Sequence, residues 1–243
     1  MIMGLMKTFR RRLKKLHPLY GDIERLNKRL DMVFEIIDPD RFHTNGERQV
    51  TPSLDKIRPD HLGRYEFATR YLKDGFDVLD IACGIGYGSF ITANNSPGAN
   101  ILGVDISDKA IEYANKYYKT KNNSFIIGDC LKIDLKPLHN DVVISFETIE
   151  HIEGADKFLR RINKSMKPGA LLICSTPNER RLPFNKKDFP HHLRHYTLAE
   201  LDHLITEAGF NIESRHSQHK RKRKEVRNDS NGLYHIFVCR KPE

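Results

Sequence analysis

The sequence predicts a doubly wound α/β fold: a seven-stranded sheet with an antiparallel last strand and an N-terminal helical extension. Three observations predict it. From about residue 61 onward, short continuous apolar runs alternate with helical segments, as in a parallel sheet covered on both faces. A glycine-rich turn follows the first of these runs. The chain closes on two further strand-like runs joined by a polar loop, which places a β-hairpin at the end of an otherwise parallel sheet.

The extension, residues 1–60, comes first. Ile2, Met6, Phe9, Leu13 and Leu16 share one helical face, with basic residues opposite, a pattern suited to a membrane-surface helix or to docking on a domain or partner. Ile23, Leu26, Leu30, Val33 and Ile37 repeat that spacing over two heptads. So short a seam suits packing against the body or a homodimer partner. Asp38-Pro39-Asp40 stops it, and residues 40–60 read as a polar loop.

The body, residues 61–243, opens with a helical stretch from His61 to Leu72. The apolar runs are then Val78 to Ala82, Ile101 to Val104, Ser124 to Ile127, Val142 to Phe146 and Leu171 to Cys174, with helices near 86–94, 108–119, 154–166 and 197–208. Asn211 to Ser217 and Leu233 to Arg240 form the terminal hairpin.

Composition narrows the function. The chain has 243 residues, 41 Lys+Arg and 32 Asp+Glu, a net charge of +9. Residues 1–18 and 215–227 together hold thirteen Lys and Arg against one acid, so the remainder is mildly acidic. Such clusters suit polyanions or solvation. Four scattered cysteines exclude a disulfide scaffold and a zinc ribbon, and imply a reducing, cytoplasmic setting, with contact at the inner membrane surface through the basic N-terminus as an extension of that reading. No apolar run approaches the ~20 residues of a membrane span, and the N-terminal charge order is wrong for a signal peptide.

The ligand-binding pattern is Asp80-Ile81-Ala82-Cys83-Gly84-Ile85-Gly86-Tyr87-Gly88, a strand end running into a helix. A glycine turn before a helix could serve a pyrophosphate. Three details argue against it. The spacing is GxGxG, Asp80 would repel a pyrophosphate yet could hold an ammonium group, and Asp105 ends the next strand where ribose hydroxyls would meet it. Asp129, after Gly128, stands where an adenine amino group could approach. An ammonium, a ribose and an adenine without phosphate describe S-adenosylmethionine.

With VLDIACGIGYG, GVDIS, IIGDC, ISFETIEHI and LLICSTPN in order, residues 61–241 resemble the class I S-adenosylmethionine-dependent methyltransferases, whose fold is Rossmann-like. The resemblance implies that Asp80, Gly84 and Gly86 line the methionine moiety, Asp105 the ribose and Asp129 with Cys130 the adenine, and that Phe146 lies beside the sulfur. Tyr65, Ala82, Cys83 and Ile106 join the same cofactor set. His61-Leu62-Gly63-Arg64-Tyr65-Glu66-Phe67-Ala68 resembles the entry helix of methyltransferases associated with polysaccharide and glycan assembly.

Methyl transfer requires alignment of donor and acceptor and removal of the acceptor's proton. Glu147-Thr148-Ile149-Glu150-His151 follows the fourth strand. This ExxEH pattern resembles the one in ubiquinone-biosynthesis O-methyltransferases and in small-RNA 2′-O-methyltransferases, where it supplies metal ligands. In the RNA enzymes a His five residues before a Thr completes the set, as His192 stands before Thr197 here. The resemblance therefore implies Glu147, Glu150, His151 and His192 as ligands for Mg, Mn or Zn. Two readings stand beside it: His151 as a metal-free base assisted by Glu150, and a purely structural role. His191 and His195 read as loop residues, and Cys83 and Cys130 as small strand-end fillers.

The expected function is O-methylation of a sugar, glycan or related small molecule, with an anionic acceptor favoured by the basic loop. RNA 2′-O-methylation is the second reading, and an inactive scaffold of the same fold the third. Strand direction also predicts that the hairpin turn bearing Lys220 to Lys224 projects at the ligand-binding edge.

Overall fold

The computed structural model describes residues 49–135 and 139–243. The helices expected within residues 1–37 lie outside the described residues, as does His43.

Seven strands form one sheet: β1 (Asp77–Ile81), β2 (Asn100–Asp105), β3 (Asn123–Ile127), β4 (Asn140–Phe146), β5 (Met166–Pro177), β6 (Asn211–Gln218) and β7 (Tyr234–Arg240). Their order is β3-β2-β1-β4-β5-β7-β6. The first five are parallel, and β7 runs antiparallel between β5 and β6. Every parallel strand therefore ends at one edge, and β6 ends there too. The helices are α1 (Pro59–Ala68), α2 (Tyr87–Asn95), α3 (Asp108–Tyr117), α4 (Ala155–Ser165) and α5 (Leu198–Glu207).

Alternation along the strands builds two cores, one on each face of the sheet. On one face Val142, Ile144, Leu171, Ile173, Ile236 and Val238 pack with Leu62 and Phe67 of α1 and Ile91 of α2. On the other, Val143, Leu172 and Phe237 pack with Phe158, Leu159 and Ile162 of α4 and Leu201 and Ile205 of α5. These apolar contacts hold the strand tips, and thus the site residues, in fixed order.

Local signals set the helix starts. Ser107 caps α3 by accepting from the Ala110 N–H, and Thr197 and Glu200 form a reciprocal capping box on α5. The first helix begins at Pro59, two residues ahead of the expected boundary, because a proline fits the first turn. It ends at Ala68 and passes into a 3-10 turn, Thr69–Tyr71. The fifth strand is far longer than its apolar run, since it pairs with β4 on one side and β7 on the other.

Residues 51–58, assigned to the extension on sequence, pack against the body. Ile57 is buried in the α1–α2 core, and the Tyr118 hydroxyl donates to the Thr51 carbonyl. No helix among the described residues is long and apolar enough to cross a membrane.

Candidate active site

A cavity of about 820 Å³ opens over the carboxyl edge of the sheet. Its floor is made by the tips of β1 and β4, where two non-glycine residues take left-handed backbone, Ala82 at φ 60° and Glu147 at φ 50°. Such conformations, costly for L-residues, cluster where a chain must turn sharply beneath a ligand.

On the β1–β2–β3 side the wall contains Ala82, Cys83, Gly84, Asp105, Ile106, Gly128, Asp129 and Cys130. Asp105 ties this side together: one carboxylate oxygen accepts from the Gly84 N–H at 2.8 Å, the other from the Ser107 N–H at 3.0 Å. A Cβ at Gly84 would meet nothing within 4 Å, so the backbone there faces open space. Ile106 is 64% exposed, an apolar surface over which a flat ring can lie. Asp129 accepts from the Leu131 N–H at 2.8 Å, which with nearby Lys132 lowers its pKa. Tyr65 and Phe146 meet edge-on at 5.0 Å between the two halves of the cavity.

Two expected cofactor residues are not in this wall. Asp80 is 1% exposed and lies beneath it, accepting from Ser89 at 2.6 Å and from the Tyr65 hydroxyl at 3.2 Å. Burial pushes its carboxyl up to about 7. Asp80 thus orients Tyr65 and the start of α2. Gly86 also stays behind the wall; it caps α2 at φ 85°, where a Cβ would press on Ala114 and Phe125.

The chemistry-bearing side follows β4. Ligand atoms of Glu150, His151 and His192 lie within 4.8 Å of one another. Glu147, the fourth expected ligand, stands apart: its carboxylate accepts from Ser175 at 2.7 Å and lies 4.0 Å from the Arg64 guanidinium. The strand-four turn carries Glu147 back over β5, while the 3-10 turn Ile149–His151 carries the other two residues toward His192.

Hydrogen bonds assign the imidazole tautomers. His195 Nδ1 donates to the Leu182 carbonyl at 2.5 Å, so its Nε2 accepts from His192 Nδ1 at 2.7 Å. His192 Nε2 therefore carries a lone pair. Burial, then the neighbouring His151 and His195, pushes His192 down to about 3, so the ring is neutral. His151 Nδ1 donates to the His191 carbonyl at 3.1 Å, leaving its Nε2 in the same lone-pair form. Glu150 is fully buried; Oε2 accepts from Thr176 at 3.0 Å, and Oε1 has no hydrogen-bond partner. Burial and then Glu147 raise its pKa well above the carboxylate range.

His195 is thus no loop bystander: it is 2% exposed and holds His192 in place. Its i+3 spacing from His192 was the available signal, hidden by the irregular backbone of that segment. Cys130 is half-buried and Cys83 buried, and both line the cavity. The hairpin turn projects at the cavity edge as strand direction predicts, and Arg221 stands in the wall. Gln49, Arg58, His61 and Tyr234 also line it, which motif spacing did not reveal.

A methyltransferase-domain family model matches residues 72–231, which span every strand except the last. The chain belongs to this methyltransferase family. A probable S-adenosylmethionine-dependent methyltransferase of Mycolicibacterium smegmatis is 30% identical over 145 residues, covering 57% of this chain and 53% of that protein. A ubiquinone biosynthesis O-methyltransferase of Rickettsia bellii is 31% identical over 152 residues, 60% of each. The chain spans about half the length of the first of these relatives. Among solved structures, phosphoethanolamine N-methyltransferase 2 of Haemonchus contortus, in complex with S-adenosyl-L-methionine, superposes with a TM-score of 0.61 at 18% identity, over 74% of this chain and 52% of that one. The sheet order and antiparallel β7 of this methyltransferase domain are those of the class I Rossmann-like fold.

Proposed function

We propose that this methyltransferase domain transfers the methyl group of S-adenosylmethionine to a hydroxyl of a sugar, glycan or related small molecule, with a divalent ion held by Glu150, His151 and His192. One observation carries the reading. The Glu150 carboxyl, one of whose buried oxygens has no hydrogen-bond partner among the described residues, and the imidazoles of His151 and His192 bring ligand atoms within 4.8 Å of one another, an acceptor-rich cluster. A cation, or the proton of an acceptor hydroxyl, satisfies it.

The nucleoside fits the opposite side. Gly84 leaves backbone room, Asp105 rims the β2 tip for a ribose, Asp129 and Cys130 stand beyond it, and Ile106 offers a face to adenine. The methionine end extends toward Cys83 and Tyr65, with the buried Asp80 carboxyl behind them accepting from the Tyr65 hydroxyl.

The chain's own work in the reaction is alignment and proton removal. Phe146 and Tyr65 form an apolar neck that excludes water between the two halves. The rings of His151 and His192 are oriented by a backbone carbonyl and by His195 respectively. Glu150, whose pKa burial and then Glu147 raise, would hold a divalent ion as the carboxylate, so that ion binding would be coupled to proton release. A divalent ion, when bound, lowers the pKa of an acceptor hydroxyl. Carboxylate with imidazole suits Mg, Mn or Zn alike.

Activity on sugars, sugar nucleotides, glycans and RNA ends, measured before and after chelation, tests this reading. Loss of turnover with chelator and recovery with one of the three ions is expected. Full turnover after chelation leaves His151 as a metal-free base. RNA 2′-O-methylation is the second reading, favoured by the exposed Lys220, Lys222 and Arg223 that flank the cavity-lining Arg221 in the chain; steeply salt-dependent oligonucleotide binding distinguishes it. A chain that fails to bind S-adenosylhomocysteine is a scaffold of the same fold.

A further inference from the structure

The cavity is chemically two-sided. Over β4 it is rich in carboxyl and imidazole groups; beside β5, β7 and β6 it is rich in guanidinium donors. Arg64 is 1% exposed: Nη1 donates to Gln218 at the tip of β6 at 2.8 Å, the guanidinium stacks 4.9 Å from the centre of the Tyr234 ring, and Nη2 has no hydrogen-bond partner. The Tyr234 hydroxyl, at the start of β7, accepts from Arg58 at 3.1 Å and from Arg221 Nε at 3.0 Å. Its own proton has no acceptor among the described residues. Arg221 uses Nε for this contact, and among the described residues no hydrogen bond engages its Nη atoms.

The nearby carboxylates are already engaged. Asp60, fully buried, takes both Nε and Nη2 of Arg58 and lies 3.9 Å from Arg64; Glu147 is 4.0 Å from Arg64 but is already held by Ser175. Three guanidinium groups, those of Arg58, Arg64 and Arg221, thus gather at one wall. The arrangement is built into the fold. The hairpin carrying Arg221 docks on α1, where the Asp60 N–H donates to the Arg221 carbonyl and Lys224 pairs with Glu66. That approach is close enough that a Cβ at Gly63 would fall 2.0 Å from the Lys224 carbonyl oxygen.

We propose that Arg64, Arg221 and Tyr234 form an oxyanion subsite for the methyl acceptor, with Arg58 and Asp60 positioning them, so that the acceptor carries a phosphate or carboxylate near the hydroxyl that is methylated. This deepens the function proposed above and rests on it. Strand spacing sets the reach: Tyr234 opens β7, two strands from the β4 tip that carries Glu150, so anion and hydroxyl lie roughly 5–10 Å apart. The same spacing separates the subsite from the nucleoside: Gly84 follows β1, three strands from β7. An Arg fork with a tyrosine hydroxyl suits a planar or tetrahedral oxyanion by charge-assisted hydrogen bonds.

Inorganic phosphate and acetate are the probes, added to the full chain at constant ionic strength with and without saturating S-adenosylhomocysteine, and read by thermal unfolding and calorimetry. Phosphate or acetate is expected to stabilise the protein by a similar increment in both conditions. Arg221→Gln and Tyr234→Phe are each expected to weaken that binding about tenfold while leaving S-adenosylhomocysteine affinity unchanged. Arg221 is exposed, so its variant folds even if an Arg64 variant does not. Anion binding no stronger than chloride's overturns the proposal. So does competition between anion and S-adenosylhomocysteine, which would assign the arginines to the cofactor's own carboxylate. Failure of S-adenosylhomocysteine itself to bind sinks the proposed function instead.

Discussion

A histidine can offer a lone pair at one nitrogen only if something takes the proton of the other. Leu182 and His195 do this for His192 in series, and the His191 carbonyl does it for His151. Replacing His195 by Phe keeps a ring in the buried position but removes the acceptor for His192 Nδ1. Divalent-ion affinity is expected to fall about 10–100-fold, as when an outer partner of a metal-bound histidine is lost, and calorimetry on chelator-stripped protein checks it. Unchanged affinity would mean that His192 is not a ligand. The sequence held Glu150, His151 and His192 as candidates but could not separate Glu147 from them. Spacing counts residues, and the left-handed backbone at Glu147 redirects its side chain to Ser175.

At the scale of elements, the turn from β1 to α2 separates folding from binding within three residues. Gly86 needs its positive φ and has no room for a methyl group, with Ala114 at 2.7 Å and Phe125 at 2.8 Å from a built Cβ. Gly84 shares the left-handed backbone at φ 58° but faces open space. Gly86→Ala is expected to destabilise the domain by ~2–4 kcal/mol through backbone strain and overpacking together. Gly84→Ala should cost about 1 kcal/mol of stability, yet weaken S-adenosylhomocysteine binding more than tenfold, because its new methyl group occupies ligand space. Chemical denaturation and binding titrations on the pair test this; equal loss of stability in both would refute the separation. The strands and helices themselves were legible because apolar runs and caps are local signals. The roles within the glycine turn were not, since they depend on what α3 and β3 bring against it.

For the molecule as a whole, burial of ionisable groups beneath the site writes a pH dependence into stability. Asp80 has its folded pKa pushed up to about 7, so the native state holds a proton that the unfolded chain releases near pH ~4. Between these values folding takes up a proton. The contribution of Asp80 to stability is therefore present at low pH, falls as pH rises through that window, and is flat above it. In Asp80→Asn this slope is absent, and the change in Tm between pH 5 and pH 8 should differ from that of the wild type by several degrees. Superimposable pH–Tm profiles would show that the Asp80 carboxyl is not so perturbed. Sequence alone was enough for the strand–helix alternation, the terminal hairpin and the sheet edge over which the cavity opens. Each of these follows from periodicity and chain direction, which need only neighbours along the chain. Only the tertiary structure decided that Asp80 and Gly86 stand behind the wall, that Glu147 leaves the Glu150 group, that His195 holds His192, and that Arg64, Arg221 and Tyr234 meet from three separate segments. Those facts turn on side-chain direction and on contacts between residues as many as 176 positions apart, as for Arg58 and Tyr234, and no linear spacing encodes them.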